Sequence, residues 1–337
     1  MKDHMGKIVV DDDKEASDDE EYIVNNILPK SRHRGGSIYR GLDVWWKKEY
    51  CIIDRSETRL EAMALSEPTN CIRNGRCVDH SPCCMLQFLS LKLANISVDG
   101  GLVKLYGYIA VRDDLDPLLN YIVNFSRDDP IVVEQGSLIN MAGPKRGIQM
   151  MDLTLLEYDM RIKIGEQEKD DPQLIDGASI IGCPGIWDQP FTIRIPGNYG
   201  AVDFTLSRLH AAVEATVEIH LSGVQSSFSL SLGCLTGGLD EEIRLFDGAI
   251  AESCALRRSV VAVPMNFFIV LKFKVGALSS SSYHHCCSFK AKIHGHDTQE
   301  IKTAFAIISA KAVAEPADLT WFKNICHPLT CNALETA

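Results

Sequence analysis

The residues best equipped for chemistry in this chain are its clustered histidines and cysteines. His284, His285, Cys286, Cys287, His294 and His296 crowd one stretch, and imidazole nitrogens with thiolates are the ligands that zinc takes. The stretch from Cys287 to Ile293 alternates as a strand, however. There Cys286 and His294 stand about 26 Å apart at ~3.3 Å per residue, too far for one ion unless the chain folds back. Cys287 falls in line with Phe289 and Ile293, which places it in a core. A second group, Cys71, Cys77, His80 and Cys83 with Cys84 beside it, is a weak zinc candidate, because it lacks the closely spaced cysteine pairs of structural zinc sites. Unpaired thiols are the expected reading, so no metal and no cofactor is assigned.

Oxygen ligands and cations come next. Asp113, Asp114 and Asp116 lie between two strands, and Asp128 and Asp129 precede Pro130; carboxylates at one end of a sandwich can hold calcium. Acidic residues that cap and solubilise turns are commoner. Lys145 and Arg146, inside Gly143-Pro-Lys-Arg-Gly147, could meet an anion, but read first as an exposed hairpin tip. No Ser-His-Asp order, nucleotide-binding glycine loop or paired-carboxylate motif stands out.

The elements that must position these residues are strands. Leu156, Tyr158, Met160, Ile162 and Ile164 alternate with Glu157, Asp159, Arg161 and Lys163. Side chains on a strand point alternately to opposite faces, so the pattern predicts an apolar row on the core and a charged row in water. Ala211, Val213, Ala215, Val217, Ile219 and Leu221 repeat it, as do Phe267, Ile269, Leu271, Phe273 and Val275. Shorter versions run over 103–111, 191–195, 202–206, 228–232 and 289–293, with turn signals such as Asp99-Gly-Gly101 and Pro196-Gly-Asn198 between them. Many short one-faced strands with no βαβ rhythm predict a mainly β fold, an antiparallel β-sandwich or flattened barrel.

Before the strands the text differs. Residues 1–21 hold nine acids against three lysines, so −6 of the chain's −11 sits there and the rest carries −5. Such a run reads as a solvated, disordered acidic tail, assigned to 1–36 and closed by the basic patch Lys30, Arg32, His33, Arg34, itself too short for a convincing nuclear address. A helical or loop lead-in follows over 37–84. Leu60, Met63 and Ala64 predict a short amphipathic helix, and Trp45 and Trp46 are expected to dock it. The sandwich takes 85–313, and 314–337 form a C-terminal tail. The acidic balance argues against binding a nucleic-acid backbone. No apolar stretch reaches the ~18–20 residues of a membrane span, and no secretory leader is read. Twelve cysteines without an export signal predict reduced thiols inside the cell, cytoplasmic rather than nuclear.

Six strings carry a family likeness. They are Leu105-Tyr-Gly-Tyr-Ile-Ala-Val-Arg-Asp113, Asn120-Tyr-Ile-Val-Asn-Phe-Ser-Arg-Asp-Asp-Pro130, Met141-Ala-Gly-Pro-Lys-Arg-Gly147, Glu157-Tyr-Asp-Met-Arg-Ile-Lys163, Ile243-Arg-Leu-Phe-Asp-Gly248 and Leu256-Arg-Arg-Ser-Val-Val-Ala-Val263. From about Cys84 to about Val313 the chain resembles the plant proteins, mostly of grasses, that carry domain of unknown function 6598. The resemblance implies an intracellular plant β-domain, with defence or stress as its setting, and supplies no catalytic residues. Some relatives carry the domain beside one that depurinates ribosomal RNA, so rRNA N-glycosylase activity is the alternative. That chemistry needs a Glu and an Arg on one helix face, with stacking tyrosines, to stabilise an oxocarbenium-like sugar and protonate the leaving adenine. Glu241-Glu-Ile-Arg244 offers the spacing but runs into Leu245-Phe-Asp247 as a strand, where residues three apart face opposite sides. The expectation is therefore a non-catalytic module with a protein partner of unknown identity.

Overall fold

The computed structural model describes residues 27–41, 43–52, 72–73, 76–77, 81–98, 101–113, 115, 118–277 and 282–314. The acidic residues 1–21, the helix expected around Leu60 and the C-terminal tail from 315 lie outside these.

Antiparallel strands dominate. The hairpin of β1 (Ile72–Arg73) and β2 (Arg76–Cys77) precedes β3 (Cys83–Ile96), β4 (Leu102–Arg112), β5 (Asn120–Phe125), β6 (Ile131–Glu134), β7 (Ile148–Gln149), β8 (Thr154–Ile162) and β9 (Gln173–Ile181). Then come β10 (Pro190–Gly197), β11 (Gly200–Ser222), β12 (Phe228–Thr236), β13 (Ile243–Ile250), β14 (Cys254–Ala255) and β15 (Ser259–Pro264). The series ends with β16 (Phe268–Gly276), β17 (Ser282–Lys290), β18 (His296–Lys302) and β19 (Ile307–Val313).

These strands build two sandwiches in chain order. In the first, the sheet β5-β4-β8-β9, with β6 on β4, meets β10, β3 and the start of β11. Leu105, Ile109, Tyr158 and Met160 pack there against Leu91, Ile195 and Phe204. In the second, β13-β12-β16-β17 meets the end of β11 with β15 and β19. Leu230, Leu232, Leu271 and Phe273 face Val217, Ile219, Ile308 and Ala310. Each such side chain, fully buried, contributes roughly 1.5–3 kcal/mol relative to exposure. The sheets do not close, so of the two expected outlines the sandwich is the one present.

The two halves share a strand. The sequence reads as separate stretches at 202–206 and 211–221, but β11 runs through 23 residues. Its first part pairs with β3 and β10 and its last with β15 and β19. It bends at Ala211, whose φ of 44° is left-handed, where the β3 register shifts between Leu209 and Ala212. Beyond that bend the inward row changes cores.

The alternation in β8 is met on one face and overturned on the other. Leu156, Tyr158, Met160 and Ile162 are buried as read, while Ile164 lies past the strand end and is exposed. The charged row is not in water: Glu157 is 0% exposed and Arg161 is buried. Arg161 is held by Asp159 and Glu168, whereas the cause for Glu157 is a cover from far upstream in the sequence. Residues 27–41 and 43–52, the first ten of which the sequence assigns to the tail, lie across this sheet as a strap. A 3-10 turn (Ser37–Tyr39) and one short helix, α1 (Trp45–Glu49), present Ile38, Trp46, Tyr50 and Ile52 to Leu155 and Ala178. Trp46 docks, but its neighbour Trp45 remains exposed. Lys47 is buried and donates through Nζ to the carbonyls of Ser37 and Arg40 at 2.7 and 2.6 Å, tying the strap's turns together. No described helix is long and apolar enough to cross a membrane.

Candidate functional site

The densest set of ionisable side chains lies between strap and sheet. Register builds it. Tyr121 of β5, Ala110 of β4, Glu157 of β8 and Ala178 of β9 form one lateral row. The two alanines leave room around the glutamate, and Tyr108 and Arg112 flank it from β4 because they share the face of Ala110. Asp176 does the same from β9.

Into this depression the strap inserts His33, itself 1% exposed. Its Nε2 donates to Glu157 Oε1 and its Nδ1 to Asp176 Oδ1, both at 2.9 Å. An ionised carboxylate only accepts, so both ring nitrogens must carry protons and His33 is an imidazolium. Tyr108 adds a hydrogen bond to Glu157 Oε1 at 2.6 Å, and Arg112 Nε reaches Glu157 Oε2 at 3.0 Å. The backbone N–H of His33 bonds Asp176 Oδ1 at 2.7 Å. Tyr108 and Tyr39 meet the imidazole edge to face, and Tyr121 stands edge-on to Tyr108.

The electrostatics follow from this closure. Burial works against charge on His33, yet the bonds to Asp176 and Glu157 outweigh it and lift its pKa to about 9. Burial would likewise raise the Glu157 carboxyl, but the Arg112 charge and the bonds from His33 and Tyr108 hold it down at about 2. Asp176 is lowered against its burial by the His33 contacts. Burial, with the Glu157 charge next, pushes the Tyr108 phenol well up. Two cations and two anions balance, which is how buried charge is tolerated.

The strap is also received by backbone. β9 is the end of its sheet, and Ala178 offers both main-chain groups outward. Its carbonyl accepts from Leu28 N at 2.8 Å, and its N–H donates to Ser31 Oγ at 3.1 Å. Gly177 makes the approach close. A Cβ there would stand 2.7 Å from Ile27 Cγ2 and 3.2 Å from Ser31 Oγ, and its φ of +150° suits glycine alone.

A second polar set sits where the two cores adjoin, and it corrects two readings. Arg146 is not an exposed tip: it is 2% exposed and grips Asp113 through both terminal nitrogens at 2.7 Å. Asp113 is thereby a buried ion-pair partner rather than a solvated turn or calcium ligand, and also accepts from Gln149 N at 2.8 Å. Asp114 and Asp116 lie outside the described residues; Asp128 and Asp129 are exposed. Gly147 N donates to Glu214 Oε2 at 2.6 Å. The other Glu214 oxygen is shielded from solvent and accepts no hydrogen bond among the described residues. Burial pushes this carboxyl up to about 7, against the Gly147 bond and the Arg146 charge.

The cysteine candidates do not assemble. Cys71 and His80 fall outside the described residues, and Cys77 is placed only as backbone in β2. Cys83 opens β3, where burial, with Cys84 and nearby carboxylates, pushes its thiol up to about 11, away from the thiolate a metal needs. Cys287 lies in the second core, while His284 and Cys286 face outward on β17. Among the described residues no three His, Cys, Asp or Glu side chains are placed to share an ion. Glu241 is exposed ahead of β13, and Arg244, within that strand, bonds Asn140 Oδ1 at 2.6 Å. The two share no helix face.

Sequence reasoning missed the socket because alternation says which face a residue takes, not what covers that face. A usable signal existed: Tyr108, Ala110 and Arg112 alternate in register with Glu157 once β4 and β8 are paired.

These features define a double antiparallel β-sandwich whose first sheet is roofed by a polar-anchored strap. The chain belongs to the family of domain of unknown function 6598 (DUF6598), whose model matches residues 85–311. No curated protein matches it. Among solved structures it is similar to human GIVD cytosolic phospholipase A2, with 9% identity over 70% of this chain and a TM-score of 0.24; it spans 33% of that chain. It is similar also to the calcium-bound pair of C2 domains of Extended-Synaptotagmin 2, with 8% identity over 69% of this chain and 96% of that one, TM-score 0.24. Superpositions of this quality carry no argument about function.

Proposed function

We propose that the chain is a non-catalytic module that binds a protein partner. One observation supports this reading: the sheet face richest in ionisable groups already holds a peptide, its own strap, through side-chain and main-chain bonds together. Its Glu, Arg and Asp are engaged in receiving that segment. On the family resemblance alone, the proposal extends to a plant cell's interior and to defence or stress. Eight described cysteines are free thiols, which accords with a reducing compartment.

The rival is rRNA N-glycosylase activity. The structure moves its best foothold from Glu241 and Arg244 to Glu157, Arg112, Tyr108 and Tyr121, where a carboxylate, a guanidinium and paired tyrosines do meet. The two readings separate in one pair of experiments. Full-length protein is used to capture partners from its source tissue, and the captured protein is then titrated against pure chain by calorimetry. A stoichiometric complex of the two supports the binding reading. Depurination of large-subunit rRNA by the pure chain, lost on Glu157→Gln with the fold intact, overturns it.

A further inference from the structure

Resting on that reading, we propose that the depression formed by Tyr108, Arg112, Glu157 and Asp176 is a socket for a peptide that presents a protonated histidine, and that His33 is its built-in, displaceable occupant.

Three observations converge on this. First, the socket and its plug belong to different parts of the chain. All four socket residues, with Gly177 and Ala178, lie inside the family match of 85–311, whereas the strap lies wholly before it. The receiving surface lies within the family match and the occupant outside it.

Second, the socket selects by chemistry. Without His33 it holds two carboxylates against one guanidinium, a net charge of −1. Glu157 Oε1 and Asp176 Oδ1 each lie 2.9 Å from opposite nitrogens of one ring. That demands a flat cation with two N–H donors pointing apart, which an imidazolium supplies and a lysine ammonium, a point donor on a flexible stem, does not. The edge-to-face contact of Tyr108 with the ring favours a planar occupant too.

Third, the neighbouring sheet edge is shaped for main chain. Ala178 exposes a donor and an acceptor that the turn at 28–31 satisfies, Leu28 N–H meeting the carbonyl and the Ser31 hydroxyl the amide, and Gly177 removes the side chain that would hold such a segment off. Main-chain bonds at an open sheet edge give a bound peptide affinity, and side-chain pockets give it specificity. The ligand class is thus a segment with a hydroxyl two residues before its histidine, as Ser31 precedes His33.

Proton linkage gives the proposal a signature. Below about pH 6.5 a free peptide histidine is already charged and affinity is flat. Between 6.5 and about 9, where the seated imidazole keeps its proton, binding takes up one proton, so Kd should rise about tenfold per pH unit. The groups facing the ring are Glu157 and Asp159 from β8, Asp176 from β9, Arg112 and Tyr108 from β4 and Tyr39 from the strap; Glu157 and Asp176 are held below their ordinary values and Tyr108 is pushed well above its own, so these three do not titrate in this window.

The test uses a labelled peptide of residues 27–41 and the full chain. His33→Ala protein should bind it at pH 6.5 at least tenfold more tightly than wild type, whose own strap competes. Affinity should fall along the stated slope and be lost when Asp176→Asn is added, and a peptide carrying His33→Ala should not bind. Equal affinity for both peptides, or no binding by a variant that retains the wild-type circular dichroism, overturns the proposal. Should His33→Ala fail to fold, amide exchange on the unmodified chain decides. The amides of His33, Arg34 and Ala178 should open well before those of β8; exchange of all three only with global unfolding shows that the strap is fixed and sinks the idea. A partner captured by the wild-type chain at another surface would leave the binding reading standing even then.

Discussion

Replacing Arg146 by alanine separates the two views of the Gly143–Gly147 turn most sharply. An exposed hairpin tip would lose no more than about 0.5 kcal/mol, as surface substitutions normally do. The structure sets a different scale. Both terminal nitrogens of Arg146 hold Asp113 at 2.7 Å, and Nη1 also donates to the Gly147 carbonyl at 2.9 Å. Truncation takes the guanidinium away from buried Asp113, whose remaining partners include the backbone donors Gln149 N at 2.8 Å and Leu115 N at 3.2 Å. Removing one partner of a buried pair costs about 3–5 kcal/mol, because the other charge stays desolvated and unpaired. Loss of the guanidinium also withdraws a charge that restrains the Glu214 pKa. Urea midpoints at pH 7 for wild type, Arg146→Ala, Asp113→Ala and the double variant give both the cost and the coupling. The double variant should lose less than the two single losses added together, since neither charge is then stranded. A loss below about 1 kcal/mol for Arg146→Ala, or strict additivity, would refute the burial argument.

In β8, Ile162→Ala should cost about 2–5 kcal/mol by leaving a cavity, whereas Lys163→Ala, whose Nζ donates to the Arg127 carbonyl at 2.9 Å, should cost about 0.5–1.5 kcal/mol; equal urea midpoints would overturn the register. Glu214 carries the opposite sign from a salt-bridged carboxylate: its pKa is raised, so the folded state retains a proton that the unfolded state gives up. Its contribution is full below about pH 4.5 and is lost as pH rises to about 7. Glu214→Gln should therefore flatten the fall in stability from pH 5 to pH 8, and thermal melts that keep the wild-type slope would count against a shielded carboxyl.

The strands were legible because a period of two survives in any sheet with one apolar face: Leu156, Tyr158, Met160 and Ile162 sit where the text puts them. Partnership over long distances was not. Nothing local to Glu157 signals His33, 124 positions away, and nothing in Gly-Pro-Lys-Arg-Gly signals that its arginine turns back on Asp113, 33 positions earlier. A run of turn formers announces the bend of the main chain and leaves the side chain's destination open. The same limit explains His33 itself, which the text groups with a basic patch, though its neighbours Lys30 and Arg32 are exposed.

The bent strand shared by both sandwiches has a consequence on the ribosome. The first core opens with β3 at Cys83 but is finished only when β11 is made, up to Leu209. At ~5–20 residues per second the intervening 126 residues take roughly 6–25 s to synthesise. Throughout that interval the sheet opposite β4, β8 and β9 is incomplete, because β3 and β10 are joined only through β11. The nascent chain thus passes a long stretch with part of its first core open, and the arrival of one strand closes the first core and begins the second.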